Sequence, residues 1–273
     1  MSKKIFTKEN ILLMNEASLS AMSLGVGLTF IRKYNFSQEG YLMQSFFSIS
    51  IGLERLMKLI LLYDYRIKNN KYPKDNYLRK YSHDLKILFK EVKNIAVKHN
   101  LKDLVVKLEK DLINDSIIDF FSLFAKQTRY YNLDELTGRK SKILPPVSEW
   151  HQKINKVILE RHYKPKGTKL KIYKKLSKDI NDNILVRQHN ENGEMIDNAE
   201  KILIENDSLD IKQKYGMMYI FVVINFLVKI LFELEIKGGF YPILREFFTV
   251  FYQEDLKYVL SKKTWNPLPP YRF

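Results

Sequence analysis

The chain predicts an all-α fold, an antiparallel helical bundle with further C-terminal helices, and three observations carry that reading. Apolar residues recur at three- and four-residue spacing through most of the 273 positions, the repeat of a helix that buries one stripe. The breaks between these stretches fall at residues that start or stop helices: Ser82 and Asp84, Tyr72-Pro73, Pro145-Pro146 and Gly238-Gly239. Hydrophobic residues make up 45% and charged residues 28%, so a chain of this length buries a core without staples. Short loops between long helices favour antiparallel neighbours.

Residues 11–31 read as the first helix, with Leu12, Leu13, Leu19, Met22, Leu24, Val26, Leu28 and Phe30 as its apolar positions. Gly25 and Gly27 either weaken it, by up to about 1 kcal/mol each, or let another helix come close. Arg32-Lys33 supply the cations that a helix C-terminus favours. The second helix carries the stripe Phe46, Ile49, Leu53, Leu56 and Ile60. Glu54 and Lys58 stand four apart in the favourable order for a helical ion pair, and Lys71-Tyr72-Pro73 should end the helix. A third helix starts near Ser82, with Ser82 or Asn76 as its cap and Asp84 in its first turn; Leu85, Leu88, Val92 and Ile95 face inward. A short helix over 101–110 is followed by a long one over 115–131, with Ile118, Phe121, Leu123, Phe124 and Ala125 inside.

Pro145-Pro146 divides the chain into a helical bundle over 1–140 and, over 141–273, a basic accessory segment plus C-terminal helices packed on the bundle. Ile184-Leu185-Val186 and Glu194-Met195-Ile196 flank a polar turn ending in Gly193, the pattern of a small β-hairpin near 184–197. Residues 217–235 form a strong helix that Gly238-Gly239 ends. Tyr241-Pro242 opens the last helix, through Leu244, Phe247, Phe248, Phe251 and Leu256, and Pro267, Pro269 and Pro270 make an extended tail.

Composition narrows the function classes. The chain has no cysteine, which excludes disulfides and thiolate metal sites and fits a reducing compartment. No apolar signal core follows the basic start, so a cytoplasmic location is expected. The longest apolar stretch, 217–228, is interrupted by Asn225 and falls short of the roughly 20 residues of a membrane span; a buried core helix is expected instead, with no stable membrane insertion. The net charge of +15 points to an acidic partner, nucleic acid being the commonest, although abundant Lys, Asn, Ile and Tyr also fit AT-rich codon usage. There is no glycine-rich phosphate loop, no paired-histidine zinc motif and no nucleophile elbow, so no metal or cofactor is expected.

Three clusters are candidates for function. His83 with Asp84 offers a proton-handling or ligand-contacting imidazole beside a carboxylate; the plainer reading is a surface histidine in a first helical turn. Arg129 precedes Tyr130-Tyr131, and an arginine among aromatics suits phosphate or base recognition through its planar fork; the plainer reading is an ion pair with Glu54 or Asp134. From Arg161 to Lys178 no acid interrupts Lys164, Lys166, Lys169, Lys171, Lys174 and Lys175, a candidate phosphate-contacting surface in which Tyr163 and Tyr173 are placed to stack on bases. The plainer reading is a solvated helix or loop.

Leu53-Glu54-Arg55-Leu56-Met57-Lys58-Leu59, Ser82-His83-Asp84-Leu85 and Arg129-Tyr130-Tyr131 together resemble the HEPN superfamily, helical bundles of bacterial toxin–antitoxin, abortive-infection and RNA-processing systems. The resemblance covers about residues 10–135. It implies an RNA-binding or RNA-cleaving protein, by analogy a homodimer, with a role in phage defence or a toxin system. Many such proteins are metal-independent endoribonucleases whose arginine and histidine have four to six residues between them. Here Arg79 and His83 have three, a departure that leaves the enzyme assignment open. By this resemblance Arg79, His83 and Arg129 are the catalytic candidates, and Glu54, Arg55, Lys58 and Asp84 line the ligand site. The alternative is a non-catalytic interaction module whose basic surface binds nucleic acid or an acidic protein.

Overall fold

The structure, a computed structural model, describes residues 7–36, 38–74, 76–138, 143–183, 187–191, 193–239 and 243–267. Among these the fold is all-α apart from one short strand pairing.

Helices α1 (Lys8–Ile31) and α2 (Gly40–Asn69) form an antiparallel hairpin whose close contact depends on glycine. A Cβ at Gly52 would stand 2.6 Å from Leu24 Cγ and 3.0 Å from Leu24 N, and one at Gly27 would collide with Ile49. Serine hydroxyls use the narrow gap: Ser20 Oγ donates to Gly52 O at 2.9 Å and Ser45 Oγ to Gly27 O at 2.8 Å. The glycine at 27 therefore serves helix approach. Asn70, in the left-handed region at φ 49, ends α2, just before the expected break.

A 3-10 turn at Arg79–Tyr81 leads into α3 (Leu85–Lys98). Asp84 caps α3, accepting from Lys86 N at 3.1 Å and Ile87 N at 3.2 Å, so neither Ser82 nor Asn76 takes that role. Ser82 lies at φ 47, and the chain turns into the helix only after it. Helices α4 (Lys102–Glu109) and α5 (Ile113–Leu123) follow. The expected long helix over 115–131 does not run through. It widens into a π turn at Phe124–Thr128, breaks at Tyr130 and restarts as the short α6 (Tyr131–Leu136). Phe124 is held there by Phe46 and Phe47, with ring centroids 5.6 and 5.1 Å away.

After α7 (Pro146–Trp150), a second π turn at His151–Asn155 and α8 (Lys156–His162) comes α9 (Gly167–Asn183). Strands β1 (Gln188–His189) and β2 (Met195–Ile196) then pair antiparallel, Gln188 opposite Ile196; Ile184-Leu185-Val186 lies outside the described residues. The strong helix expected over 217–235 is part of a longer α10 (Ala199–Gly238). Beyond it, the segment from Leu244 is not α-helical: Leu244–Phe251 is a 3-10 stretch, followed by α11 (Leu256–Ser261). Its first amides bind the buried Glu235 carboxylate, Leu244 N closely and Arg245 N at 3.4 Å. Tyr241-Pro242, Pro269 and Pro270 lie outside the described residues. The tail before them is anchored: Trp265 is buried and its amide donates to Thr29 Oγ1 at 2.9 Å.

The hydrophobic core is one cluster that draws on both sides of residue 140. Phe46 of α2 sits 4.7 Å from Phe120 and 5.3 Å from Trp150, ring centre to ring centre. Helix α10 runs through this core against α1, α2, α5 and α8. By length and composition α1 and α10 are each apolar enough to cross a membrane, but 78% of the α10 apolar window is buried against the rest of the chain.

Candidate functional site

The polar residues around position 83 form a surface strip. His83 has a 61% exposed side chain, and its Nδ1 lies 3.0 Å from Glu54 Oε2. Glu54 also accepts from Lys58 Nζ at 2.6 Å. Burial works to raise the Glu54 pKa, but hydrogen bonds from Lys58 and His83 outweigh it and hold the carboxyl below its ordinary range. Asp84 caps α3 and in addition accepts from Ser122 Oγ at 3.0 Å and Lys126 Nζ at 2.7 Å; its carboxyl too is held low, partial burial being overcome by Lys126, the Ile87 amide and Ser122. Arg55 turns away to Glu16 on α1. Arg79 is exposed and makes no ion pair among the described residues. The structure thus brings Glu54, Lys58 and His83 together, with Asp84 next to them, and leaves Arg79 and Arg55 out. Arg129 packs over Phe47, two helical turns before Glu54 on α2, roughly 10 Å along the axis.

Arg129 belongs to a different place. It follows the π turn at 124–128, and such turns are frequent at functional sites. Its guanidinium carbon lies 5.9 Å from the Phe47 ring centre, its Nε is buried without a hydrogen-bond partner, and it forms no ion pair with Glu54, Asp134 or any other described residue. It lines a cleft of about 940 Å³ together with Phe36, Glu39, Tyr130, His189 and Glu191.

The far wall of this cleft is the turn between β1 and β2, and a buried ionic cluster holds it down. The Glu191 side chain is 1% exposed and the Lys212 side chain 2%. Glu191 Oε2 takes Lys212 Nζ at 2.9 Å, and Oε1 takes the Tyr34 hydroxyl at 3.0 Å. His151 Nδ1 touches the same carboxylate at Oε2. Asn155 Nδ2 donates to it at 3.4 Å, and Ser148 Oγ donates to the Glu191 carbonyl at 3.0 Å. His151 and Asn155 both come from the second π turn. Burial would raise the Glu191 pKa, but His151 and Lys212 hold it at about 2. On the same cleft, burial and the nearby Glu191 push the Glu39 carboxyl up, with His189 opposing. Sequence reasoning missed this cluster: its members are scattered from position 34 to 212, and no local spacing marks them.

The lysine run resolves into an ordered face. From Gly167 on the chain is helical, and Lys171, Lys174, Lys175 and Lys178 fall at i, i+3, i+4 and i+7 of α9, all exposed and without an ion pair among the described residues. Leu170, Tyr173, Ser177 and Ile180 form the opposite, more buried side, and α9 packs on α10. Lys164 and Lys166 are exposed on the approach to the helix. Lys169 is taken by Asp207, which also accepts from the Tyr163 hydroxyl at 3.0 Å. The stripe is hidden in the sequence because a window opened at Arg161 begins in α8 and crosses the non-helical residues 163–166 before α9 starts. Among the described residues no cluster of His, Asp or Glu side chains has the arrangement to hold a metal ion.

No family model, characterised protein or solved structure matches this chain.

Proposed function

We propose that this protein binds RNA without cleaving it, through the cationic face of α9. The observation that carries the reading is the stripe Lys171, Lys174, Lys175 and Lys178: four neighbouring exposed ammonium groups, none of them in an ion pair among the described residues, with Asp179 the acid at the end of the stripe. Such a face attracts a polyanion by releasing its condensed counterions. The HEPN-like motifs support RNA as that polyanion, with a homodimer and a role in phage defence as parts of the same analogy. Binding is favoured over hydrolysis because a cleaving site needs an arginine on the phosphate and a histidine on the ribose hydroxyl together. Here Arg79 and His83 have three residues between them in place of the usual four to six, and Arg129 packs over Phe47, away from His83.

The test is the salt dependence of single-stranded RNA affinity. Each neutralised phosphate contributes about −0.7 to the slope of log affinity against log salt. Changing all four lysines of the stripe to Gln should flatten that slope by roughly 2 to 3, with the RNA recovered intact from both proteins. An unchanged slope, or RNA shortened in proportion to protein and spared by His83→Ala, overturns the proposal.

A further inference from the structure

We propose that the cleft beside Arg129 is a binding site for one nucleoside monophosphate unit, with the phosphate on the Arg129 guanidinium and the base against Tyr130. The inference rests on the RNA reading for where that unit comes from, a strand or a free nucleotide, and not for the chemistry of the cleft.

The cleft is polarised. On one side stands Arg129, without an ion pair among the described residues and with a buried Nε that no described group satisfies. Nε is closed off from the cleft, so the terminal amino groups of the guanidinium are what Arg129 offers a ligand, and they make no ion pair among the described residues. A guanidinium fork matches the oxygens of a phosphate in two parallel hydrogen bonds. Next to it Tyr130 is 61% exposed, an aromatic surface open for stacking. On the other side Glu39 and His189 present hydrogen-bonding groups, while the charge of Glu191 is already taken up by Lys212. A ligand that complements this wall has one anionic end, a flat body and donor groups at the far end. A phosphate joined through a sugar diol to a base has that layout. Phosphate alone would leave the aromatic and carboxylate side unused, and an acidic peptide would meet the carboxylate of Glu39 and, among the described residues, Arg129 as the one unpaired cation of the cleft. The volume of about 940 Å³ lies within the range of ligand pockets, about 300–1,000 Å³.

Two π turns set the geometry. The one at Phe124–Thr128 delivers Arg129, and the one at His151–Asn155 holds Glu191 and with it the opposite wall. Thr128 of the first turn lines the cavity, while the second turn supports the opposite wall from behind, through His151 and Asn155 on the Glu191 carboxylate.

Isothermal titration of the full chain with adenosine, cytidine, guanosine and uridine monophosphates, with the parent nucleosides, with inorganic phosphate and with a short single-stranded RNA tests the proposal. At least one monophosphate should bind about tenfold or more tightly than its nucleoside and than phosphate. Arg129→Ala should weaken it by at least about tenfold, the loss expected for a charge-assisted hydrogen bond. Arg129→Lys, which keeps the charge without the fork, should fall between. Tyr130→Ala, at an exposed position where folding is not at stake, should weaken monophosphate binding and leave phosphate binding alone. The quadruple lysine variant of α9 should keep monophosphate binding while losing salt-dependent RNA binding. Absence of monophosphate binding to the folded chain, nucleosides binding equally well, or affinity unmoved in Arg129→Ala overturns the cleft. If RNA still binds with its full salt slope in that case, the α9 reading survives. If monophosphates bind and RNA does not, the reverse holds.

Discussion

Glu191→Gln should destabilise the protein by about 3 kcal/mol at neutral pH, and the loss should fade in acid. The Glu191 carboxyl titrates at about 2 in place of its ordinary 4.5. At about 1.4 kcal/mol per pH unit that difference is worth about 3 kcal/mol. A folded-state pKa that lies below the unfolded one contributes stability above about 4.5 and loses it as the pH falls toward 2. The cost agrees with the lower end of the roughly 3–5 kcal/mol for breaking a buried ion pair. The lower end is expected because Lys212 keeps a second carboxylate, Glu205 Oε2 at 2.9 Å. Urea unfolding of both proteins at pH 7, 5 and 3 measures it: a gap of about 3 kcal/mol at pH 7, nearly the same at pH 5, and less than half of it at pH 3. A gap that does not change with pH, or one below about 1 kcal/mol at pH 7, would refute the assignment of Glu191 as a buried, paired anion. The double variant Glu191→Gln with Lys212→Met should recover part of the loss, since neither charge is then stranded.

Three further outcomes follow from the packing and capping geometry. Gly52→Val should cost at least about 1–3 kcal/mol, because its side chain enters space that Leu24 occupies; a thermal melt equal to that of the native chain would contradict the α1–α2 contact. Asp84→Ala should cost about 1 kcal/mol through loss of the α3 cap, and Asp84→Asn should recover most of it in chemical denaturation. His83→Ala should change stability by under about 1 kcal/mol, as expected for an exposed side-chain contact with a carboxylate; a larger loss would show His83 to be a structural keystone of the α2–α3 corner.

The all-α class and most helix positions were legible in the sequence because a helix reports its buried side locally. Leu85, Leu88, Val92 and Ile95 repeat at helical spacing, and all four are buried. Asn70 and the following Pro73 stop α2 by backbone chemistry alone. The interruptions were less legible. Residues 115–131 carry a continuous helical pattern, yet the chain widens at 124–128 and breaks at Tyr130, since the packing of Phe124 against α2 outweighs local preference. Helix α10 begins at Ala199, well before the apolar stretch that announced it, because its polar first half is stabilised by Asn198 capping and by contact with α9.

The site divides in the same way. Sequence alone determined that the chain is helical and strongly basic, and it singled out Arg129, His83 and the lysine run as unusual, because composition and helical spacing are properties of neighbouring residues. Tertiary structure decided that His83 pairs with Glu54 on the surface, that Arg129 faces a cleft instead, and that Tyr34, His151, Glu191 and Lys212 meet behind its far wall. Those decisions depend on which helices touch, and a carboxylate finds a buried ammonium across the core only after the hydrophobic packing has brought their helices together.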